Sequence, residues 1–240
     1  MAFSRSLLFY FLYLITGMIA GMVSLFLWPL PFTVRYRVVM KWNILVIWLA
    51  KVLCGIDFCI IGQENIPAPP YVVLSKHQST WETLMLQNHF QPISTILKKE
   101  LLQIPFFGWG LALLKPIAID RNNPRDAMRY IQKEGQKRLN EGISVLVFPE
   151  GTRTPVGKVG NYARGGAGIA CAAGVPVIPV AHNAGECWPV PGFIKHPGKI
   201  TLVIGKPIST TGQTSREVTE QAKTWIEEQI RQMPPARRSK

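Results

Sequence analysis

The chain is short of acid. It carries 14 Asp and Glu against 27 Lys and Arg, a formal charge of +13 over 240 residues. That balance asks for a polyanionic partner: nucleic acid, an anionic lipid surface or a phosphorylated substrate. Cysteine is scarce too. Cys54, Cys59, Cys171 and Cys187 include no C-x-x-C pair, and none has a His at zinc-finger spacing. This argues against a zinc module and for reduced, unpaired thiols. No internal repeat and no long linker interrupts the chain. Finally, Leu7 to Phe32 is a run of 26 residues without a charge.

That run is long enough for a membrane helix. A helix from Leu7 to Trp28 is roughly 33 Å long at about 1.5 Å per residue, close to the hydrocarbon core of a bilayer. A signal peptide has a shorter apolar region and an A-x-A-like end, whereas this run ends in Trp28-Pro29-Leu30-Pro31. A retained anchor is therefore expected. Only Arg5 precedes the run, while Arg35, Arg37 and Lys41 follow it. The excess of positive charge after the run places the remainder in the cytoplasm. A second apolar stretch, Val38 to Cys54, is broken by Lys41 and Lys51 and reads as an interfacial helix folded back on the first. Gly17 and Gly21 form a small-xxx-small step that would let the two helices approach.

From Gly55 onward the pattern alternates. Strand-like runs occur at Tyr71–Ser75, Ile93–Leu97, Pro116–Ile119, Ser144–Phe148, Pro176–Ala181 and Ile200–Ile204. Between several of them lie helical stretches. Pro124 to Asn140 has Asn123 as a cap and Gly142 past its end, and Gly166 to Ala173 stops at Gly174. A last helix opens on the capping box Thr214-Ser215-Arg216-Glu217 and carries Val218, Ala222, Trp225, Ile226 and Ile230 on one face. Such alternation predicts an α/β domain with a largely parallel sheet flanked by helices, preceded by a membrane-embedded two-helix element. The expected divisions are 1–54 for the anchor, 55–233 for the α/β domain and 234–240 for a basic, disordered tail.

Two motifs carry chemistry. His77 closes a strand, and Glu82 follows five positions later. Inside one regular helix the two would point roughly 140° apart, so they meet only if His77 precedes the helix. An acid there orients the imidazole for general-base work. With four His and 14 acids in 240 residues, a chance match at this spacing occurs about one time in four, so the pair alone is weak. The second motif, Phe148-Pro149-Glu150-Gly151-Thr152-Arg153, follows a strand and offers a glycine turn and a guanidinium to an anion. A six-residue match is far less accidental.

With these motifs the chain resembles the glycerolipid acyltransferase family that includes bacterial 1-acyl-sn-glycerol-3-phosphate acyltransferases. The family's His-x4-acid motif is matched by His77 and Glu82, where Asp is more usual than Glu. Its Asp-Arg motif after a strand is matched by Asp120-Arg121, though Lys115-Pro116 stand at its start and Ala118 where bulk is common. The Phe148–Arg153 run and the Pro-containing run Val175 to Pro179 follow in the family's order, and Lys98-Lys99-Glu100-Leu101 resembles a further segment.

The resemblance implies acyl transfer from acyl-CoA or acyl carrier protein to the sn-2 hydroxyl of 1-acyl-sn-glycerol 3-phosphate, giving phosphatidic acid at the cytoplasmic face of a bacterial inner membrane. His77 would be the base and Glu82 its orienting acid. Arg121 and Arg153, with Lys98, would hold the phosphate. Gly151 would offer its N–H, Glu150 would fix the turn or contact glycerol, and Thr152 would complete the loop. No metal and no cofactor is implied, and the acyl thioester is a substrate. Two alternatives remain: another lysolipid acceptor such as lyso-ornithine lipid, and a non-catalytic basic protein of the membrane surface. Nucleic-acid binding is disfavoured, because the basic residues are dispersed and an apolar anchor leads the chain.

Overall fold

The structure is a computed structural model that describes residues 1–120 and 123–237. Its core is a seven-stranded sheet in the order β1-β7-β6-β2-β5-β3-β4. The strands are β1 (Ile56–Ile61), β2 (Val72–Ser75), β3 (Ile93–Lys98), β4 (Ile117–Ile119), β5 (Ser144–Val147), β6 (Val177–His182) and β7 (Gly198–Ile204). All neighbours pair in parallel except β6 and β7, so β7 and β1 run against the other five. The largely parallel α/β expectation holds, with one added strand. Ile56–Ile61 follows the second helix with a single Gly55 between them and reads in sequence as a continuation of apolar character. Its pairing with β7, far along the chain, is what makes it a strand.

The central strands are covered on both faces, which is why β2, β5 and β6 read as unbroken apolar runs. Side-chain alternation sorts them. Val73, Leu146 and Ile178 face one layer, with α1 (Ala2–Leu27), α2 (Phe32–Cys54) and α3 (Trp81–His89). Val72, Leu74, Val145, Val147 and Val177 face the other, with α5 (Pro124–Asn140), α6 (Gly165–Ala173) and α8 (Ser215–Gln232). Two short helices, α4 (Phe107–Ala112) and α7 (Ala184–Cys187), complete the set. The caps expected at Asn123 and Thr214 are formed, the latter as a reciprocal capping box.

Helix α1 is long and apolar enough to cross a membrane by length and composition. It does not stand away from the domain. Phe9 is buried against Trp188 near one end, and Gly21 meets Phe106 towards the other. This corrects the reading of the Gly17–Gly21 step. Gly17 does face α2, where an added Cβ would touch the Trp42 ring at 3.4 Å. A Cβ on Gly21 would come within 2.5 Å of the Phe106 backbone, so that glycine admits the segment before α4 rather than α2.

The tail is a second correction. Pro234 to Arg237 is docked, with Ala236 buried and its carbonyl accepting the Lys199 N–H at 2.7 Å. The sequence hides this because the contacts are to β7, Asn183 and Glu186, all remote along the chain, which no local pattern announces.

Candidate active site

Strands β2, β5, β3 and β4 are parallel neighbours, so the residues that follow them share one edge of the sheet. His77 follows β2, Phe148–Arg153 follows β5, Lys98 ends β3, and Asp120 follows β4. At about 4.8 Å per strand, β2 and β4 lie roughly 14 Å apart along this edge. Arg121 lies outside the described residues.

His77 precedes α3, as its pairing requires. Its Nδ1 lies 2.9 Å from Glu82 Oε1. That same oxygen accepts the N–H groups of Gln78 at 2.9 Å and Ser79 at 2.7 Å. The extra methylene of Glu is thereby accommodated: the carboxylate curls back from the first turn of α3 onto the loop it follows. Burial by itself raises the Glu82 pKa. His182, His77 and the Ser79 N–H outweigh burial and hold the carboxyl below its ordinary value. An ionised Glu82 accepts the hydrogen bond of Nδ1–H, which leaves Nε2 as the free basic nitrogen. The His77 side chain is 15% exposed, Glu82 is sealed, and the Phe148 ring stacks on the imidazole at 4.1 Å between centroids. Strand β5 ends at Val147, one residue earlier than the sequence suggests, and this releases Phe148 for that contact.

Behind His77 stands a buried network that the motifs do not reveal. Glu150 Oε2 accepts the His77 backbone N–H at 3.0 Å. Its Oε1 accepts Lys76 Nζ at 2.8 Å, Thr154 Oγ1 at 2.9 Å and the Gly160 N–H at 3.1 Å. Both oxygens are occupied and the side chain is fully enclosed, so of the two roles considered for Glu150 the geometry fits turn-fixing. Lys76 Nζ spends its other two donors on Glu227 of α8 at 2.8 Å and on Lys158 O at 3.0 Å. Tyr162 donates to the same Glu227 oxygen at 2.7 Å. Burial and that carboxylate raise the Tyr162 pKa and keep it a donor. The only sequence signal was Lys76 beside His77. Tyr162 and Glu227 arrive from distant segments.

His182, the last residue of β6, completes the support. Its Nδ1 accepts the Ala184 N–H at 3.2 Å, so Nε2 carries the proton and donates to Lys76 O at 2.8 Å. Burial lowers its pKa against Glu82 and the Lys76 carbonyl, which raise it. Its hydrogen bonds tie the end of β6 to the residue before His77.

Arg153 lies beside the pair. Its Nε donates to Ser79 O at 3.1 Å and Nη2 to Thr80 Oγ1 at 3.4 Å, leaving the remaining N–H donors of the fork unused. Gly151 adopts φ +69°, the left-handed turn that its place in the motif demands. Its N–H, expected to meet phosphate, is spent on Phe148 O at 3.0 Å inside that turn. Lys98 and Thr152 are exposed on the wall of the same groove.

The groove has a volume of ≈ 1430 Å³. It runs from His77 under α1 and α2 and along α4, past Thr16, Gly17, Val39, Leu97, Phe106 and Leu111. Ile19 and Val23 line it and are also exposed on the outer side of α1, so it opens onto the apolar face of that helix. A buried acid–imidazole pair at the head of an apolar groove, with a guanidinium alongside, suits proton removal from a hydroxyl on an amphiphile that bears an anion.

Comparison with known proteins agrees. Residues 57–183 match the family model for the acyltransferase domain. The chain is 49% identical over 236 residues to a 1-acyl-sn-glycerol-3-phosphate acyltransferase of Pseudomonas aeruginosa, covering 96% of this chain and 92% of that protein. It is 30% identical over 174 residues to the enzyme of that name from Saccharomyces cerevisiae, covering 71% of this chain and 57% of that protein. The crystal structure of PlsC, the 1-acyl-sn-glycerophosphate acyltransferase of Thermotoga maritima, superposes with a TM-score of 0.80 at 27% identity, covering 98% of this chain and 97% of that one. With the family model matched over more than half its length, and the sheet edge carrying the family's motifs in order, the chain belongs to the acyltransferase family.

Proposed function

We propose that the protein transfers a fatty acyl group from an acyl thioester to the sn-2 hydroxyl of 1-acyl-sn-glycerol 3-phosphate, releasing phosphatidic acid and a thiol. The observation that carries this reading is the His77 ring: Nδ1 is committed to Glu82, and Nε2 is left for the groove. Nε2 takes the proton of the acceptor hydroxyl as its oxygen attacks the thioester carbonyl. The tetrahedral intermediate collapses, the C–S bond breaks, and the leaving thiolate recovers a proton from the imidazolium that Glu82 has stabilised. No acyl-enzyme and no cofactor enters this scheme. Acyl-CoA and acyl carrier protein both supply the required thioester.

In this reading Arg153, beside His77, holds the acceptor phosphate, with Lys98 on the same sheet edge and Arg121 of the motif set as further cations. Thr152 would contact substrate from the same loop. Gly151 serves through its φ rather than through its N–H.

The hairpin is the membrane element in this reading. Leu7, Phe11, Leu14, Met18, Met22 and Phe26 are exposed along one side of α1, while Ser6 and Phe9 near one end and Gly21 and Ser24 near the other are buried. A helix held that way lies in one leaflet and lets the lipid reach His77 from the bilayer without crossing water. The excess of positive charge in the chain suits the anionic cytoplasmic face of the inner membrane, where this reading puts the catalytic domain. The decisive experiment assays purified protein on lysophosphatidic acid with acyl-CoA and with acyl carrier protein, wild type against His77→Ala. Turnover with at least one donor that collapses in the variant is expected. Wild-type activity in His77→Ala would refute the general-base assignment, and no turnover with either donor would refute the reaction.

A further inference from the structure

The open end of the α1–α2 hairpin encloses a second cavity, of ≈ 440 Å³. Four separate stretches of chain build it: the start of α1 with Arg5, the end of α2 with Cys54, the segment Lys195–Pro197, and Arg237 from the docked tail. Arg5 and Thr16, which borders the catalytic groove, are eleven residues apart on one helix, or roughly 16 Å at about 1.5 Å per residue.

The charges in this wall have one sign. Arg5, Lys195 and Arg237 line it beside His196, whose pKa burial and Arg237 lower, and among the described residues no Asp or Glu does so. Among the described residues none of the four is in a salt bridge, whereas Lys51, Lys76, Lys115 and Arg138 each have a carboxylate within 4.0 Å. Lys195 is the telling case. It is 1% exposed, and Nζ meets no carboxylate among the described residues: it bonds Tyr10 Oη at 2.6 Å, Phe193 O at 3.1 Å and Gly192 O at 3.4 Å and lies over the Tyr10 and Trp188 rings. Burial lowers its pKa to about 8. A buried ammonium without a counter-ion is costly, and an anion in the cavity removes that cost. The long helix adds its positive end, with no acid in its first turn and no side-chain cap.

Arg237 is held there on purpose-built contacts. Its Nε donates to Glu186 O at 2.6 Å, and the Ala236 N–H donates to Glu186 Oε2 at 2.9 Å. Glu186, the acid nearest the tail, is thus turned to the backbone and does not line the cavity. Around the mouth, Phe3, Leu7, Val52, Phe193 and Ile194 are exposed apolar side chains.

We propose that this cavity is a phosphate-binding site separate from the acceptor site, and that its occupant is the headgroup phosphate of an anionic membrane lipid. The recognition chemistry is that of convergent guanidinium and ammonium donors around a phosphate ester. Its assignment to a lipid rests on the membrane placement proposed above, because the apolar rim sits where a bilayer surface presents headgroups. The anion site itself rests only on the cavity.

The test uses full-length protein in neutral detergent. Binding to phosphatidylcholine vesicles is compared with and without phosphatidylglycerol, and inorganic phosphate is titrated by calorimetry. Wild type should prefer the anionic vesicles. Arg5→Gln and Arg237→Gln should each weaken that binding about tenfold, the worth of one charged hydrogen bond. Lys133→Gln on exposed α5 and Arg153→Gln at the active site should leave it unchanged. The Arg5 side chain makes no hydrogen bond among the described residues, so its variant should keep the wild-type thermal transition. Loss of preference in Arg153→Gln but not in Arg5→Gln would place the anion in the active site and overturn the proposal. An equal loss in Lys133→Gln would reduce it to diffuse charge and overturn it as well. Inorganic phosphate that binds wild type but not Arg5→Gln, with vesicle binding unaltered, would support the anion site and overturn the lipid assignment.

Discussion

Two carboxylates touch His77 from opposite sides, and they do different work. Glu82, in the first turn of α3, meets the ring. Glu150, in the loop after β5, meets the backbone N–H of the same residue. Both are buried. Glu82 gathers three donors on one oxygen and leaves Oε2 without a hydrogen-bond partner. Glu150 has both oxygens engaged and is neutralised by Lys76. The first therefore governs the charge on the imidazole, and the second governs where the imidazole stands. Acid residues of one type are separated in role by which atoms of their neighbour they reach.

Substitutions should pull these roles apart. The largest effect is expected from His77→Ala, which removes the base: kcat should fall by about 10³-fold, within the range of general-base contributions, with protein stability preserved. Next comes Lys76→Met. It leaves Glu150 and Glu227 buried without their cation, so thermal or urea unfolding should show a loss of about 3 kcal/mol. Glu82→Gln keeps the shape and removes the charge; kcat should drop about 10²-fold while the acceptor KM stays put, and steady-state kinetics separates the two. If Glu150→Gln gave that same split, with no loss of stability, the division of roles would collapse. Arg153→Ala should raise the acceptor KM about tenfold with a smaller change in kcat, as loss of one charged contact predicts.

The smallest effect is one of pH. Glu82 has a folded pKa below its unfolded value, so its contribution to stability is complete above the ordinary carboxylate value of about 4.5 and is lost as pH falls towards the folded value. Melting temperatures measured downward from pH 6 should fall more steeply for wild type than for Glu82→Gln. Parallel curves would show that the carboxyl is not held low.

Much of this was legible beforehand. The apolar run predicts α1, and the alternation predicts six of the seven strands and both capped helices, because each depends on contacts a few residues long. The placement of His77 ahead of α3 follows from the angle between helical positions. β1, the antiparallel turn of β7 and the docking of Pro234 to Arg237 were not legible, because each is made by pairing with a segment remote in sequence.

The site divides in the same way. By itself the sequence named the residues proposed to carry the chemistry: His77, Glu82, Arg153 and the turn at Gly151 stand out through the family motifs that they match and the order of those motifs. Only the tertiary structure decided how they are held. It spends the Gly151 N–H on its own turn, buries Lys76 between acids from the loop after β5 and from α8, and gathers Arg5, Lys195 and Arg237 around one cavity at the open end of the hairpin. The reason is physical. Spacing constrains neighbours along one chain, whereas a buried charge is stabilised or left wanting by whatever the fold brings against it.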